Sequence, residues 1–162
     1  MPRLHMQNSS HSPHIPYIRQ CYDLARSAVA HGNHPFGALL VYQNSVILTA
    51  ENTVNTSSDE TRHAELNLIQ NAATRLPAAV RRESILYTST EPCAMCSGAI
   101  YWAGYRTVVY GTSEQSLARH TSDDFLIPCR DIFKAGHNSI TVIGPVLDEE
   151  GAAIHADYWP SL

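Results

Sequence analysis

The sequence predicts a three-layer α/β/α sandwich on a five-stranded mixed sheet, and three features carry that expectation. A helical stripe of apolar residues follows Pro16. Two apolar runs then flank a Gln43-Asn44 turn. Beyond them, strand-like runs alternate with helix-like ones to the end of the chain. A hairpin followed by strand–helix–strand alternation places antiparallel and parallel strands in one sheet, with helices on both faces.

At 162 residues, with 44% apolar and 16% charged, the chain is sized for one globular domain with its own core. Residues 1–14 are polar, with scattered His and Pro, and are expected to form a disordered tail. His5, His11 and His14 read there as solvated groups, not ligands. Residues 15–162 form the single domain.

In the first helix, Tyr17, Ile18, Cys21, Leu24, Ala25, Ala28 and Val29 share one face, and Gly32 stops it. Cys21 is a small core residue of that stripe. Residues 38–42 and 45–50 form a β-hairpin, whose first strand is expected to be buried on both faces. Residues 52–60 are a polar loop. A second helix spans about 62–76, with Ala64, Leu68, Ile69, Ala72 and Ala73 inward, Thr61 or Asp59 as its cap and Pro77 as its end. After a short linker, residues 84–89 form a third strand, 93–103 a third helix stopped by Gly104, and 106–111 a fourth strand. That unit is a right-handed parallel crossover. A short helix covers 114–120, residues 123–127 are a loop or short helix, and 132–134 add a turn. Residues 140–143 are the fifth strand and 149–158 the last helix.

Chemistry concentrates in Thr61-Arg62-His63-Ala64-Glu65 and Glu91-Pro92-Cys93-Ala94-Met95-Cys96. Cys93 and Cys96 have the spacing of one helix face. His63 and Glu65 do not, and they converge only where a helix begins and both side chains fold over its open end. Both motifs should therefore open helices. Pro92 suits this, since its missing N–H is no loss in a first turn. The positive helix end also favours thiolate. One imidazole and two thiolates, with a fourth position for water, make a set for one Zn2+ per chain, and Glu65 is left to move protons. A structural zinc site would need a fourth protein ligand, and neither Cys21 nor Cys129 has a matching spacing. A redox C-x-x-C leaves His63 and Glu65 unexplained.

The net charge of −4 excludes a general electrostatic grip on nucleic acid, and Lys134 is the single lysine. Four cysteines in a chain of this length do not make a disulfide scaffold, so a reducing, cytoplasmic compartment is expected. No apolar run approaches the ~18 residues of a membrane span, and no signal-peptide pattern is visible.

His63-Ala64-Glu65 followed by Pro92-Cys93-Ala94-Met95-Cys96 is the H-x-E and P-C-x-x-C pattern of zinc-dependent base deaminases. On these residues the chain resembles the cytidine and deoxycytidylate deaminase superfamily. Within it, the resemblance is nearest to bacterial guanine deaminases and runs from Tyr17 to Leu162. Pro35-Phe36-Gly37-Ala38, Asn52-Thr53-Val54 and Ser58-Asp59-Glu60-Thr61 carry it, with Glu60 where proline is usual. So do Leu86-Tyr87-Thr88-Ser89, Gly98-Ala99-Ile100-Tyr101-Trp102 and Asp123-Asp124-Phe125. The resemblance implies the cytidine deaminase-like fold and a set of roles. Asn52 hydrogen-bonds the base, Glu65 shuttles protons, Phe36 and Trp102 form apolar walls, Asp124 binds a polar edge and Ala64 lies beside the substrate. Each has a plainer alternative: Phe36 and Trp102 as core, Asp124 as a helix cap, Asn52 as a loop brace. Glu114 is either a surface residue or an aid to ammonia release. The family closes its site with a C-terminal segment exchanged between two subunits. Asp157-Tyr158-Trp159 is the counterpart here, although the tail departs from the family pattern. A homodimer is implied.

The resulting reading is hydrolytic deamination of a free nucleobase, guanine plus water to xanthine plus ammonia. Its rivals are deamination of cytosine or of an aminotriazine such as ammeline, and then of adenosine in tRNA. The acidic Asp148-Glu149-Glu150 end offers little to a tRNA phosphate backbone. The non-enzyme rival is an inactive zinc-stabilised interaction module, against which the intact Glu65 counts.

Overall fold

The computed structural model describes residues 12–160. Of the expected tail, residues 1–11 lie outside the described residues. His14 belongs to the domain instead: it is the N-cap of helix α1 (Ile15–Ala30), and its Nδ1 lies 2.8 Å from the Tyr87 hydroxyl. Helix α1 buries Ile18, Cys21, Tyr22, Ala25 and Ala28, while Val29 is exposed. Tyr22 joins that face because its hydroxyl reaches across the layer to donate to the Leu147 carbonyl at 2.9 Å.

Strands β1 (Gly37–Tyr42) and β2 (Ser45–Glu51) form the hairpin. Gln43 and Asn44 have φ of 48° and 62°, the two positive values that match the right-handed twist of the flanking strands. β1 is buried on both faces, as its unbroken apolar run required. After a single-turn helix α2 (Val54–Ser57) come α3 (Ala64–Arg75), α4 (Ala78–Glu83), β3 (Ile85–Thr90) and α5 (Ala94–Ala103). β4 (Thr107–Thr112), α6 (Glu114–Ala118), α7 (Cys129–Lys134), β5 (Thr141–Ile143) and α8 (Asp148–Tyr158) complete the fold. Segments read as loop, linker and turn are therefore helical at α2, α4 and α7, and 123–127 carries no helix.

The sheet order is β2-β1-β3-β4-β5, with β1 antiparallel to both neighbours and β3, β4 and β5 parallel. Alternation along β1 divides the core. Ala38 and Leu40 face one layer with Leu68, Ala72, Ile100 and Phe133 of α3, α5 and α7. Leu39 and Val41 face the other with Ile18, Cys21 and Tyr22 of α1. The predicted sandwich thus forms, one sheet between two helical layers. Gly37 marks where α1 crosses β1 most closely: a Cβ there would collide with Leu24 and the Cys21 carbonyl. Among the described residues, no helix is long and apolar enough to cross a membrane.

This topology gathers chain ends above the carboxyl ends of β3 and β4. β3 runs into Glu91-Pro92-Cys93, and the Glu91 N–H donates to the Thr112 carbonyl at the end of β4, 2.7 Å away. Open α/β sheets place their ligand sites at such strand ends.

Candidate active site

His63 and Cys93 are the N-caps of α3 and α5, both with extended backbone (ψ 154° and 173°). The first helical bonds follow at once, Asn67 N–H to the His63 carbonyl at 3.0 Å and Ser97 N–H to the Cys93 carbonyl at 2.8 Å. Both motifs therefore open helices, and two positive helix ends point at one spot. Neither Thr61 nor Asp59 caps α3. The Asp59 carboxylate is taken up locally by the Thr61 N–H at 2.9 Å and its hydroxyl at 2.6 Å, a turn that leaves His63 to enter the helix extended.

The Nδ1 of His63 lies 3.6 Å from Cys93 Sγ and 3.5 Å from Cys96 Sγ, and all three donor atoms fall within 4.8 Å of one another. Tetrahedral zinc, with bonds of about 2.05 Å to nitrogen and about 2.3 Å to sulfur, separates such donors by about 3.6 Å. The residues fit a metal ion of that kind. A hydrogen bond from Cys96 pushes the Cys93 thiol down to about 4, and the same bond pushes Cys96 up, so Cys93 is the readier thiolate of the two. A bound cation favours the thiolate form of both.

Glu65, second residue of α3, is 5% exposed. One carboxylate oxygen, Oε1, accepts from the Thr88 hydroxyl at 2.8 Å, and Oε2 faces Cys96 Sγ at 3.7 Å. Burial, and then the Cys93 charge, hold its carboxyl above the ordinary carboxylate value. It can therefore carry a proton as well as take one.

His63, Glu65 and Cys93 line a recess of about 100 Å³, with Phe36, Thr90 and Glu114 on its walls. Phe36 and His63 also line a wider cavity of about 490 Å³, whose boundary includes Asn52, Asp124 and Trp159. Asn52 is 2% exposed. Its N–H donates to the Phe36 carbonyl at 3.0 Å and its Oδ1 accepts from Val54 N–H at 3.0 Å, which leaves its Nδ2 group to donate. Asn52 and Phe36 thus both border the cavity that His63 lines.

Other expected site residues sit differently. Trp102 is 85% exposed on the outward side of α5 and does not line the cavity of its own chain. Trp159 does, with its ring centroid 6.5 Å from that of Phe36 and 5.1 Å from that of His34, on which it stacks. The C-terminal aromatic pair packs against His34, and the Tyr158 hydroxyl meets His34 Nδ1 at 3.0 Å. Asp124 borders the cavity on an open, solvent-exposed loop and is not buried. Ala64 is fully buried in the core beneath the motif. Glu114 is not a surface residue: it is 6% exposed, and burial, then Glu91 and Cys93, push its carboxyl up to about 7. Sequence reasoning missed His34, His120 and Thr88. The signal for His34 was its place directly before Pro35-Phe36-Gly37.

The cytidine and deoxycytidylate deaminase zinc-binding region, as a sequence family, matches residues 11–112. A probable cytosine deaminase of Schizosaccharomyces pombe (strain 972) is 38% identical over 154 residues, 90% of this chain and 91% of its own. The guanine deaminase of Bacillus subtilis (strain 168) is 40% identical over 115 residues, 70% of this chain and 74% of its own. Among solved structures, an NE0047 mutant in complex with 8-azaguanine superposes with a TM-score of 0.74 at 25% identity, covering 87% of this chain and 81% of that one. Sequence match, fold and a buried carboxylate beside a His-Cys-Cys triad converge, and the chain belongs to the cytidine and deoxycytidylate deaminase family, as a hydrolytic deaminase.

Proposed function

We propose that this enzyme is a zinc-dependent hydrolase of a free nucleobase, with guanine as its first substrate: guanine plus water gives xanthine plus ammonia. The observation that carries the reading is the shape of the site. Phe36 lines both the recess at Glu65 and the wider cavity beside it, and Trp159, Asp124 and Asn52 also border that cavity. A flat purine stacks on such walls. Carboxylates only accept, and guanine offers ring N–H and amino donors; the Nδ2 of Asn52 donates to a purine acceptor. Net charge of −4 gives no grip on a nucleic-acid backbone.

His63, Cys93 and Cys96 are the ligands for one zinc per chain, which when bound supplies a nucleophile at neutral pH by lowering the pKa of water to about 7. Glu65 takes the proton of the attacking water on Oε2 and gives it to ring N3 as oxygen bonds to C2. Glu65 then moves the second water proton to the amino group, the C2–N bond breaks and ammonia leaves. Thr88 holds Oε1 throughout, so the carboxyl turns one oxygen to the chemistry.

A second reading is cytosine deamination, favoured by the end-to-end match to the S. pombe relative. Ammonia release from guanine, cytosine, adenine, ammeline and guanosine, offered in parallel to the zinc-loaded protein, decides between them. Guanine turned over at least tenfold faster than the rest is the expected result. Preference for cytosine would transfer the same zinc and Glu65 chemistry to C4 of a pyrimidine and sink the guanine assignment.

A homodimer completes the proposal. Met95, 38% exposed, and Trp102, 85% exposed, lie two turns apart on the outward side of α5, a helix with no charged residue. The expected light-scattering mass is twice 17.9 kDa, and Trp102→Glu shifts it toward the single chain. A wild-type protein of single-chain mass at micromolar concentration would rule the dimer out.

A further inference from the structure

We propose that His155 is a positioning residue, holding Trp159 as the outer wall of the cavity through one hydrogen bond on each ring nitrogen. The proposal rests on the reading that this cavity takes the base. Trp159 Nε1 lies 3.1 Å from His155 Nδ1. An indole N–H only donates, so Nδ1 accepts and the ring proton sits on Nε2. That nitrogen lies 2.9 Å from Thr90 Oγ1, which accepts it. The partners on the two sides thus select one neutral tautomer. His155 is 2% exposed, and burial, then the charge of His120, push its pKa down to about 4, so the ring is neutral in ordinary conditions.

The arrangement spans two elements. Trp159 is the C-cap of α8, four residues after His155, and its N–H donates to the His155 carbonyl at 3.1 Å. Thr90 ends β3, three residues before Cys93, so the C-terminal wall is referenced to the strand end that carries the metal motif. Phe36, the other aromatic residue lining the cavity, packs on the His155 ring with centroids 5.2 Å apart. His34, which also borders the cavity, stacks on Trp159 with planes at 25°. One imidazole therefore touches both aromatic walls and the strand between them. It does not line the recess bordered by Glu65, His63 and Cys93. Its effect should fall on capture of the base and not on the chemical step. The bland alternative is a buried histidine that is merely satisfied.

A double-mutant cycle on the zinc-loaded enzyme separates the two, read on whichever base it turns over fastest. Trp159→Phe keeps an aromatic wall and deletes the indole donor. His155→Gln keeps a partner for Thr90 and withdraws the acceptor from Trp159, whereas His155→Asn keeps an acceptor near Nδ1. The Gln and Phe variants each raise KM about three- to tenfold, the span of one neutral hydrogen bond, with kcat little changed. The Asn variant loses less, and the Gln/Phe double variant is no worse than either single one. A substrate-independent arm uses Trp102→Phe, which leaves Trp159 the only tryptophan. There, acrylamide quenching of the indole emission doubles on adding His155→Gln and holds on adding His155→Asn. Failure of the guanine reading alone leaves both arms intact. Unchanged quenching, or KM losses that simply multiply in the double variant, overturn the proposal.

Discussion

Glu65→Gln retains the metal and loses turnover by at least a thousandfold. General acid–base help is worth about 10²–10⁴ for a positioned group, and Glu65 handles more than one proton in the cycle. The glutamine carbonyl still accepts from Thr88, and His63, Cys93 and Cys96 are untouched, so the variant folds and binds metal as the wild type does. The measurement pairs metal content by elemental analysis with kcat at saturating base. An inactive zinc-stabilised module would show no difference in turnover, because it has none to lose. Glu65→Gln activity within tenfold of wild type would sink the role assigned to the carboxylate. Loss of the metal from the variant would instead make Glu65 a ligand. Among the described residues the donors that could hold a metal are His63, Cys93 and Cys96, without Glu65, which argues that the variant keeps its metal.

The parts of this site that were legible in the sequence are those set by local geometry. The two-residue step from His63 to Glu65 has one solution, a helix start, and α3 begins at Ala64. Cys93 and Cys96 followed from the same logic at α5, and the Gln43-Asn44 turn from strand twist. What stayed hidden depends on which way an element faces. Helix α5 is apolar nearly all round, so no periodicity told Trp102 from Ile100; one is 85% exposed and the other fully buried. Helices α2, α4 and α7 have four to six residues, too few to show a stripe. Glu114 opens a five-residue helix that only tertiary packing buries. The His155–Trp159 pair did have a signal, its four-residue spacing at the end of a helix, but the meaning of that spacing depends on Thr90, 65 residues away.

Removal of the metal costs stability as well as activity, and Cys96→Ser reproduces the loss. Cys96 is fully buried, and its thiol sits between Cys93, His63 and Glu65. Without a cation, this corner packs two cysteines and a desolvated carboxyl beside two helix ends. With one, the thiolates become ligands and their charge is compensated. A ligand present at a thousand times its Kd adds about 4 kcal/mol to a folded state. In a domain of this size, each kcal/mol moves Tm by about 2–4 °C. Chelation should therefore lower Tm by about 8–16 °C, zinc should restore it, and turnover should follow. Cys96→Ser should bind zinc weakly, melt near the chelated wild type and be insensitive to chelator. Equal melting with and without metal would mean that the site is preformed by packing alone. Full zinc occupancy in Cys96→Ser would mean that a third ligand other than Cys96 closes the set. Cys129 is the remaining cysteine on this side of the sheet, and it faces Glu91, its N–H donating to the Glu91 carboxylate at 3.2 Å. It does not join the triad, so loss at Cys96 has no built-in replacement among the described residues.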